Sequence, residues 1–164
     1  QGQYEVAEGY LEQALAIARE IGNRSGESAD LGTLGQVALR RGQLEVAAGY
    51  VEQSLAIARE IGDQRWEAQS QAALGHVAEA QGDLARAETL YRQSWARAAE
   101  RGLGPLIAEA QLALGRLLAE RLNRRDEGCV VLREAARRFA EMGMPEAAEA
   151  QEAAERLGCA HETS

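Results

Sequence analysis

Residues 2–22 read GQYEVAEGYLEQALAIAREIG, and residues 42–62 read GQLEVAAGYVEQSLAIAREIG. The two segments are identical at 17 of 21 positions. The same period places Leu-Gly pairs at 34–35, 74–75 and 114–115, and it separates Pro105 from Pro145. A fixed period of about 20 to 50 residues is typical of stacked supersecondary units. The sequence therefore predicts a repeat solenoid.

The composition favours helices for these repeated units. Of the 164 residues, 46% are hydrophobic but only 4% are aromatic, so the core must consist mainly of Ala, Leu, Val and Ile. Ala and Leu are strong helix formers, and no segment shows the alternating pattern of a half-buried strand. One long coiled coil is the alternative, but glycines recurring with the period would interrupt it. An all-α fold is predicted.

Each period divides into two amphipathic helices, which we call A and B. The A helices are predicted at 27–41, 66–81, 105–122 and 145–157, and the B helices at 3–21, 43–61, 83–101 and 125–142. Residues 1–158 form a single repeat domain in this interpretation. It consists of the B helix 3–21, repeats at about 25–62, 65–102 and 105–143, and a polar capping helix at 145–157. Residues 159–164 are predicted to be a disordered tail.

Glycines within the predicted A helices require a packing reason, because a glycine inside a helix costs about 1 kcal/mol relative to alanine. Gly35, Gly75 and Gly115 each follow a Leu, and small residues occupy the reciprocal places on the B helices. We therefore expect the two helices of a repeat to approach closely. The third repeat is one residue longer, which is expected to loosen the turn around 122–126.

Charge and cysteine usage restrict the partners and the compartment. The net charge of −8 argues against nonspecific binding to nucleic acid or to anionic membranes. Acidic residues are interleaved with the Arg-rich segment 121–138, so this segment is interpreted as a solvated helix face. Cys129 is expected to be a small buried hydrophobic residue and Cys159 to lie in the tail, with both thiols reduced in the cytoplasm.

No sequence motif indicates catalysis. Phosphate-binding, zinc-protease and hydrolase motifs are absent from the sequence. His76 has Glu79 one helical turn later, but no recurring Ser or Cys accompanies the pair. His76 is therefore interpreted as an exposed helix residue. The chain is predicted not to be an enzyme and to bind no cofactor or metal.

The repeat resembles the tetratricopeptide repeat. The residues that carry the resemblance are the Leu-Gly pair of helix A, the glycine at the A–B turn, Leu44 or Leu84 two residues later, and then Ala47 or Ala87. Leu31, Gln71 and Gln111 stand where this family commonly has Trp. The period is longer than the usual unit of this family, and it is similar to the long-repeat variety of bacterial regulators and signalling scaffolds. The resemblance implies a right-handed superhelical solenoid of antiparallel helix pairs.

In this family the A helices line a concave groove that binds a peptide or a helix of a partner protein. Carried over position by position, the resemblance implies a groove in which Gly32 and Ala72 leave space. The implied partner-binding residues are Gln36, Leu39, Gln69, His76, Glu79, Glu109, Leu112 and Arg116. The family's carboxylate clamp is not expected, because Gly32, Ala72, Gln36 and His76 occupy its positions.

Three function classes follow from the sequence. The first is a protein-interaction scaffold that uses the groove. The second is a self-association module, in which a homo-oligomer forms through the N-terminal helix, because one flank of that helix (Tyr4, Ala7, Leu11, Ala14 and Leu15) lacks a preceding A helix. The third is a ligand-sensing segment of a larger regulator or signalling enzyme.

Overall fold

The structure, a computed structural model, describes residues 2–159, with side chains from Tyr4 onward. This part of the chain forms helices and no strands. The helices are α1 (Gly2–Glu20), α2 (Arg24–Arg40), α3 (Leu44–Ile61), α4 (Gln64–Gln81), α5 (Leu84–Glu100), α6 (Gly104–Arg116), α7 (Arg125–Glu141) and α8 (Glu146–Arg156). The predicted all-α fold and the alternation of B and A helices are confirmed. Each predicted helix is found within a few residues of its expected bounds.

Short polar and glycine turns end the helices. The side chain of Asn23 accepts a hydrogen bond from the backbone N–H of Gly26 at 3.0 Å, and Asp63 does the same for Arg65 and Trp66 at 3.1 Å. These are N-cap bonds, which satisfy amides that have no partner inside the helix. Gly62 follows α3 with φ of 70°. Only glycine adopts this conformation readily, so it marks the end of that helix.

The chain divides into two compact units. The first contains α1 to α4, and its core includes Leu15, Leu31, Leu34, Val51 and Ile57. The second contains α5 to α8, and its core includes Leu114, Leu132, Ala135, Phe139 and Ala150. In each unit, helices that are neighbours in sequence pack against one another. The assignment of residues 1–158 to a single domain stays a prediction.

Helices α6 and α7 approach closely through a pair of glycines, as expected. A methyl group on Gly115 would lie 2.7 Å from Cγ of Leu132 and 3.1 Å from the carbonyl oxygen of Gly128. A methyl group on Gly128 would lie 2.7 Å from the carbonyl oxygen of Gly115. In the first unit, a methyl group on Gly35 would meet Val51 at 2.3 Å. These helices therefore pack with backbone against backbone, which leaves no room for a side chain.

The extra residue of the third repeat lies inside a helix, which corrects the expectation of a loosened turn. Helix α6 continues into one turn of π-helix at Leu117–Arg121, and the carbonyl of Leu117 accepts from the backbone N–H of Leu122 at 3.0 Å. A π-turn holds one residue more than an α-turn, so it takes up an insertion without breaking the helix. Asn123 then adopts φ of 54°, where the other repeats have glycine.

Cys129 and Cys159 form a disulfide, so the prediction of reduced thiols is wrong. Cys129 is buried as expected, but Cys159 is buried too and packs on α7 and α8. The physical reason is the α7–α8 hairpin. Each cysteine lies about four helical turns from Gly143, one before it and one after it. The antiparallel hairpin therefore brings their Cα atoms to 5.4 Å. Residues 160–164 of the predicted tail lie outside the described residues.

The exposed flank of α1 differs from the predicted one. Leu15 is only 6% exposed, because it packs with Leu31 and Ile57, and Leu11 is half-buried on the same cluster. Tyr4 is exposed as expected. The strongly exposed apolar side chains lie on another stripe of the helix, and they are Val6, Tyr10, Ile17 and Ile21. The flank of Leu11 and Leu15 is covered because α2 packs against it.

Adding a methyl group at the glycine contact should destabilise the protein. In Gly128→Ala the methyl would lie 2.7 to 2.8 Å from backbone atoms of Gly115 and Ala119, which cannot rotate away. We expect the free energy of unfolding to fall by about 1–3 kcal/mol. Gly49→Ala is the matched control, because Gly49 lies inside α3 with no atom within 4 Å of an added methyl. This variant should gain up to about 1 kcal/mol. Urea unfolding monitored by circular dichroism makes the comparison, and equal effects would contradict the packing argument.

Removing the disulfide should loosen α8. The bond closes a loop with a sequence separation of 30, and cross-links of this kind typically contribute about 2–4 kcal/mol. We expect Cys129→Ala with Cys159→Ala to lower the melting temperature and to speed amide hydrogen exchange in α8. Dithiothreitol should reproduce the effect in the native protein and have none in the double variant. If the untreated native protein reacts with two equivalents of a thiol reagent, the disulfide is absent.

Candidate functional site

Five of the eight predicted groove residues lie in the first unit, on α2 and α4, which contact each other. Gln36 on α2 and His76 on α4 are exposed, so both present hydrogen-bonding groups to solvent. Leu39 is half-buried and packs on the cluster of Ala38, Ala47 and Val77. Gln69 and Glu79 on α4 are half-buried. This surface is therefore polar, with little apolar area of its own.

Part of the expected space on α2 is filled. Gly32 is buried, and a methyl group added to it would lie 3.3 Å from ring carbon Cζ3 of Trp66 and 3.3 Å from Oγ of Ser54. Trp66 enters from the first turn of α4. The missing side chain at Gly32 thus makes room for this indole rather than for a partner. Ala72 on α4 remains half-exposed.

His76 is in its neutral form over most of the physiological pH range. Its imidazole reaches solvent, but the surrounding protein reduces its hydration, and this lowers the pKa of His76 from the ordinary value. The carboxylate of Glu79 acts in the opposite direction. A neutral imidazole has one donor and one acceptor nitrogen. His76 can therefore bind both a carbonyl and an N–H group of a peptide backbone.

The other three predicted residues lie on α6 in the second unit. Leu112 is half-buried and packs on core residues of α7 and α8, among them Phe139 and Ala153. Its main role in the structure is to hold the capping helix. Glu109 is exposed. Arg116 is one-third exposed and forms an ion pair with Glu149 of α8 at 3.0 Å. An acidic ligand would therefore have to compete with Glu149 for Arg116.

Buried hydrogen bonds that hold the first unit together were not foreseen from the sequence. The Oγ of Ser28 donates to the carbonyl of Ser54 at 3.0 Å, and the Oγ of Ser54 donates to the carbonyl of Ser28 at 2.7 Å. The hydroxyls of Ser54 and Ser70 lie 3.0 Å apart. The recurrence of Ser at 54 and 94 was the available signal. These bonds fix α2, α3 and α4 beneath the predicted binding residues.

Ion pairs also recur with the repeat. Arg19 contacts Glu27 at 2.9 Å, and one period later Arg59 contacts Glu67 at 3.3 Å. The hydrogen bond from Arg19, together with Arg24, holds the pKa of Glu27 below its usual range. Each pair joins the end of one helix to the start of the next, so it fixes the turn between B and A.

The described residues give no sign of a metal centre. Within residues 2–159, no group of three or more His, Cys, Asp or Glu side chains is arranged to hold a metal ion. His161, the second histidine, lies outside this range. Every helix of the described part is too short or too polar to cross a lipid bilayer.

Comparison with known proteins places the repeats in a family. Two tetratricopeptide repeat models match the sequence, one at residues 1–60 and the other at residues 68–105. No curated protein matches the sequence closely enough to indicate a relationship.

Solved structures show the same fold. BtubC (BKLC) from P. vanneervenii has a TM-score of 0.77 at 15% identity, with 98% of this chain and 76% of that chain covered. Two structures from Podosopora anserina, described as a putative kinesin light chain with nearly identical TPR-like repeats, have TM-scores of 0.72 and 0.70. Both are 22% identical, and 95% of this chain is covered, against 77% and 78% of theirs. Identity this low shows the fold alone. Together with the two family matches, it establishes that the chain belongs to the tetratricopeptide repeat family and has its all-α solenoid fold.

Proposed function

We propose that the protein is a non-catalytic scaffold that binds a peptide or a helix of a partner protein in the groove lined by its A helices. Tetratricopeptide repeats generally mediate protein–protein interactions. The observation that carries the proposal is the surface of α2 and α4, where Gln36 and His76 are exposed above a rigid hydrogen-bonded base. Arg116 and Glu109 occupy the corresponding face of α6. These side chains are polar enough to recognise a peptide backbone.

The charges on these helices determine the expected ligand. Gln36, His76 and Arg116 each offer a hydrogen-bond donor, which suits a carbonyl-rich or acidic stretch. Glu79, Glu109 and Glu149 repel strongly acidic ligands, so the partner segment should also carry Arg or Lys near its other end. Ordering a peptide on a polar surface consumes much of the contact energy. The affinity should therefore be on the order of micromolar.

A pair of substitutions on the predicted face tests this proposal. Peptides are selected by display of a random library on the native protein, and their affinities are measured by calorimetry. His76→Ala with Arg116→Glu should weaken the selected peptides by about tenfold or more, because a hydrogen bond to a charged group contributes about 1.5–3 kcal/mol. The expected peptides combine an acidic or carbonyl-rich stretch with Arg or Lys.

The control carries the same kinds of change on a B helix, Arg86→Glu with Gln93→Ala on α5. It should bind the peptides as the native protein does, and circular dichroism should show equal helicity for all three proteins. Undiminished binding by the His76 and Arg116 variant would place the binding site elsewhere on the solenoid.

A second candidate is self-association through α1. Val6, Tyr10, Ile17 and Ile21 are 57 to 70% exposed and follow one another at intervals of three or four residues or their sum. They therefore form an apolar stripe along one side of the helix. Exposed apolar surface costs roughly 25 cal/mol per Å², and contiguous patches tend to find partners. A second copy of the same stripe would cover it.

Charge on this stripe should abolish such an assembly. We expect the native protein to show a mass that rises with concentration in light scattering, and Tyr10→Glu with Ile17→Glu to remain a monomer. Val130→Glu is the control, because Val130 is equally exposed at 59% but lies on α7. A native protein whose mass is monomeric at every concentration would contradict self-association.

The third candidate is a sensing segment of a larger bacterial regulator or signalling enzyme. The cytoplasmic location proposed with it implies reduced cysteines, whereas the Cys129–Cys159 disulfide is typical of oxidising compartments. Alkylation of free thiols at the moment of cell lysis distinguishes the two locations. The third candidate also differs from the other two in requiring a ligand other than a protein.

A further inference from the structure

A cavity of about 440 Å³ lies in the second unit between α5, α6 and α7. Its volume is within the range of about 300–1,000 Å³ that is usual for small-molecule sites. The cavity does not involve the predicted groove residues. The lining side chains used below are Trp95, Gln111, Val130, Val131, Arg133 and Arg138.

The cavity contains buried polar atoms without partners. Gln111 is fully buried, and neither its amide oxygen nor its amide nitrogen has a hydrogen-bond partner among the described residues. The same holds for Nε of Arg138. Leaving a buried polar group unsatisfied costs about 1–3 kcal/mol. Such a cost has to be offset by something that the fold of this unit does not itself supply.

The first repeat shows that folding does not require these polar groups. Leu31 occupies the position two periods before Gln111, and it packs with Leu15, Tyr50 and Ile57 in a filled apolar cluster. In the third repeat, where the spacing is one residue longer, Val131 stands for Tyr50 and Arg138 stands for Ile57. The smaller Val131 opens space, and Gln111 and Arg138 bring polar atoms to it. The same architecture is thus closed in one repeat and open in another.

The chemistry of the lining selects an anion with an apolar body. Three arginines line the cavity against one acid, Glu134, which already accepts from Arg137 at 2.9 Å and from Arg138 at 2.9 Å. The unsatisfied N–H groups of Gln111 and Arg138 are donors, and carboxylates accept such bonds most strongly. Trp95 and Val131 supply an apolar wall. The amide oxygen of Gln111 remains available to accept from a hydroxyl or N–H group.

We propose that this cavity binds a small carboxylic acid with an apolar body and a hydroxyl or N–H group beside the carboxylate. The carboxylate accepts from Nε2 of Gln111 and from Nε of Arg138, and the neighbouring hydroxyl donates to Oε1 of Gln111. The aryl or alkyl group packs on Trp95 and Val131. The site is separate from the proposed groove on α2, α4 and α6, so the protein would respond to a metabolite as well as to a protein partner.

Three related compounds test the assignment by calorimetry. Phenyllactate has the aryl group, the carboxylate and the hydroxyl group, hydrocinnamate lacks only the hydroxyl, and phenylpropanol lacks the carboxylate. We expect saturable binding of phenyllactate at one site and weaker binding of hydrocinnamate. Phenylpropanol should bind at least about tenfold more weakly than phenyllactate, because it loses the charge-assisted bonds.

The substitutions are taken from the first repeat of the same chain. Gln111→Leu introduces the residue found at Leu31, so we expect a higher melting temperature and at least about a tenfold loss of phenyllactate affinity. Arg138→Ile introduces the residue found at Ile57 and should remove the preference for phenyllactate over phenylpropanol. The control, Gln71→Leu, makes the same change in the preceding repeat and should leave the affinity for phenyllactate unchanged.

Several results would overturn the proposal. One is the absence of saturable binding by any of the three compounds. Another is native affinity for phenyllactate in Gln111→Leu. Equal binding of phenylpropanol and phenyllactate would show that no carboxylate is recognised. A lower melting temperature of Gln111→Leu would show that the amide serves folding, and Arg138→Ile then decides whether the cavity binds the acid.

Discussion

The fold depends on the contact of helix backbones where the two helices of a repeat cross. With few aromatic residues, the chain cannot fill wide gaps between helices, so the helices must approach closely to bury Ala, Leu and Val. Glycine provides this approach at Gly35 in the first unit and at Gly115 with Gly128 in the second. Each glycine weakens its own helix, and the gain is the packing of the helix against its neighbour. The positions of all other side chains follow from these crossings.

Away from the crossings, the repeats are free to differ, and they do so at positions that face cavities and solvent. Leu31, Gln71 and Gln111 stand at one equivalent position, and only the first is apolar. The ion pairs of Arg19 with Glu27 and of Arg59 with Glu67 have no counterpart in the third repeat, where Ala99 and Ile107 occupy those places. A constant scaffold thus presents a different surface in each repeat, which is how a solenoid acquires specific binding sites.

The sequence predicted the fold better than the candidate site, because the period carries the same information more than once. Helix bounds and the close approach at Gly115 follow from residues that recur, so each assignment is supported by its copy. The disulfide occurs once, and it required the geometry of the α7–α8 hairpin, which cysteine spacing alone does not express. A position carried over from a family specifies one side of a helix, but not what large side chains from elsewhere do there. Trp66 therefore covers Gly32, and the capping helix engages Leu112, although neither contact is visible in the pattern.

The first and last helices have opposite surfaces, and this limits the assemblies that the protein can form. Helix α8 buries small residues such as Ala150 and turns acidic and amide side chains outward, and the Cys129–Cys159 bond ties its end to α7. Helix α1 instead exposes an apolar stripe that includes Tyr10 and Ile17. Contact between this stripe and the polar outer face of α8 would bury charges without partners, which is unfavourable. Pairing of two α1 stripes buries apolar surface on both sides and closes after two copies, so association through α1 would give a dimer rather than a filament.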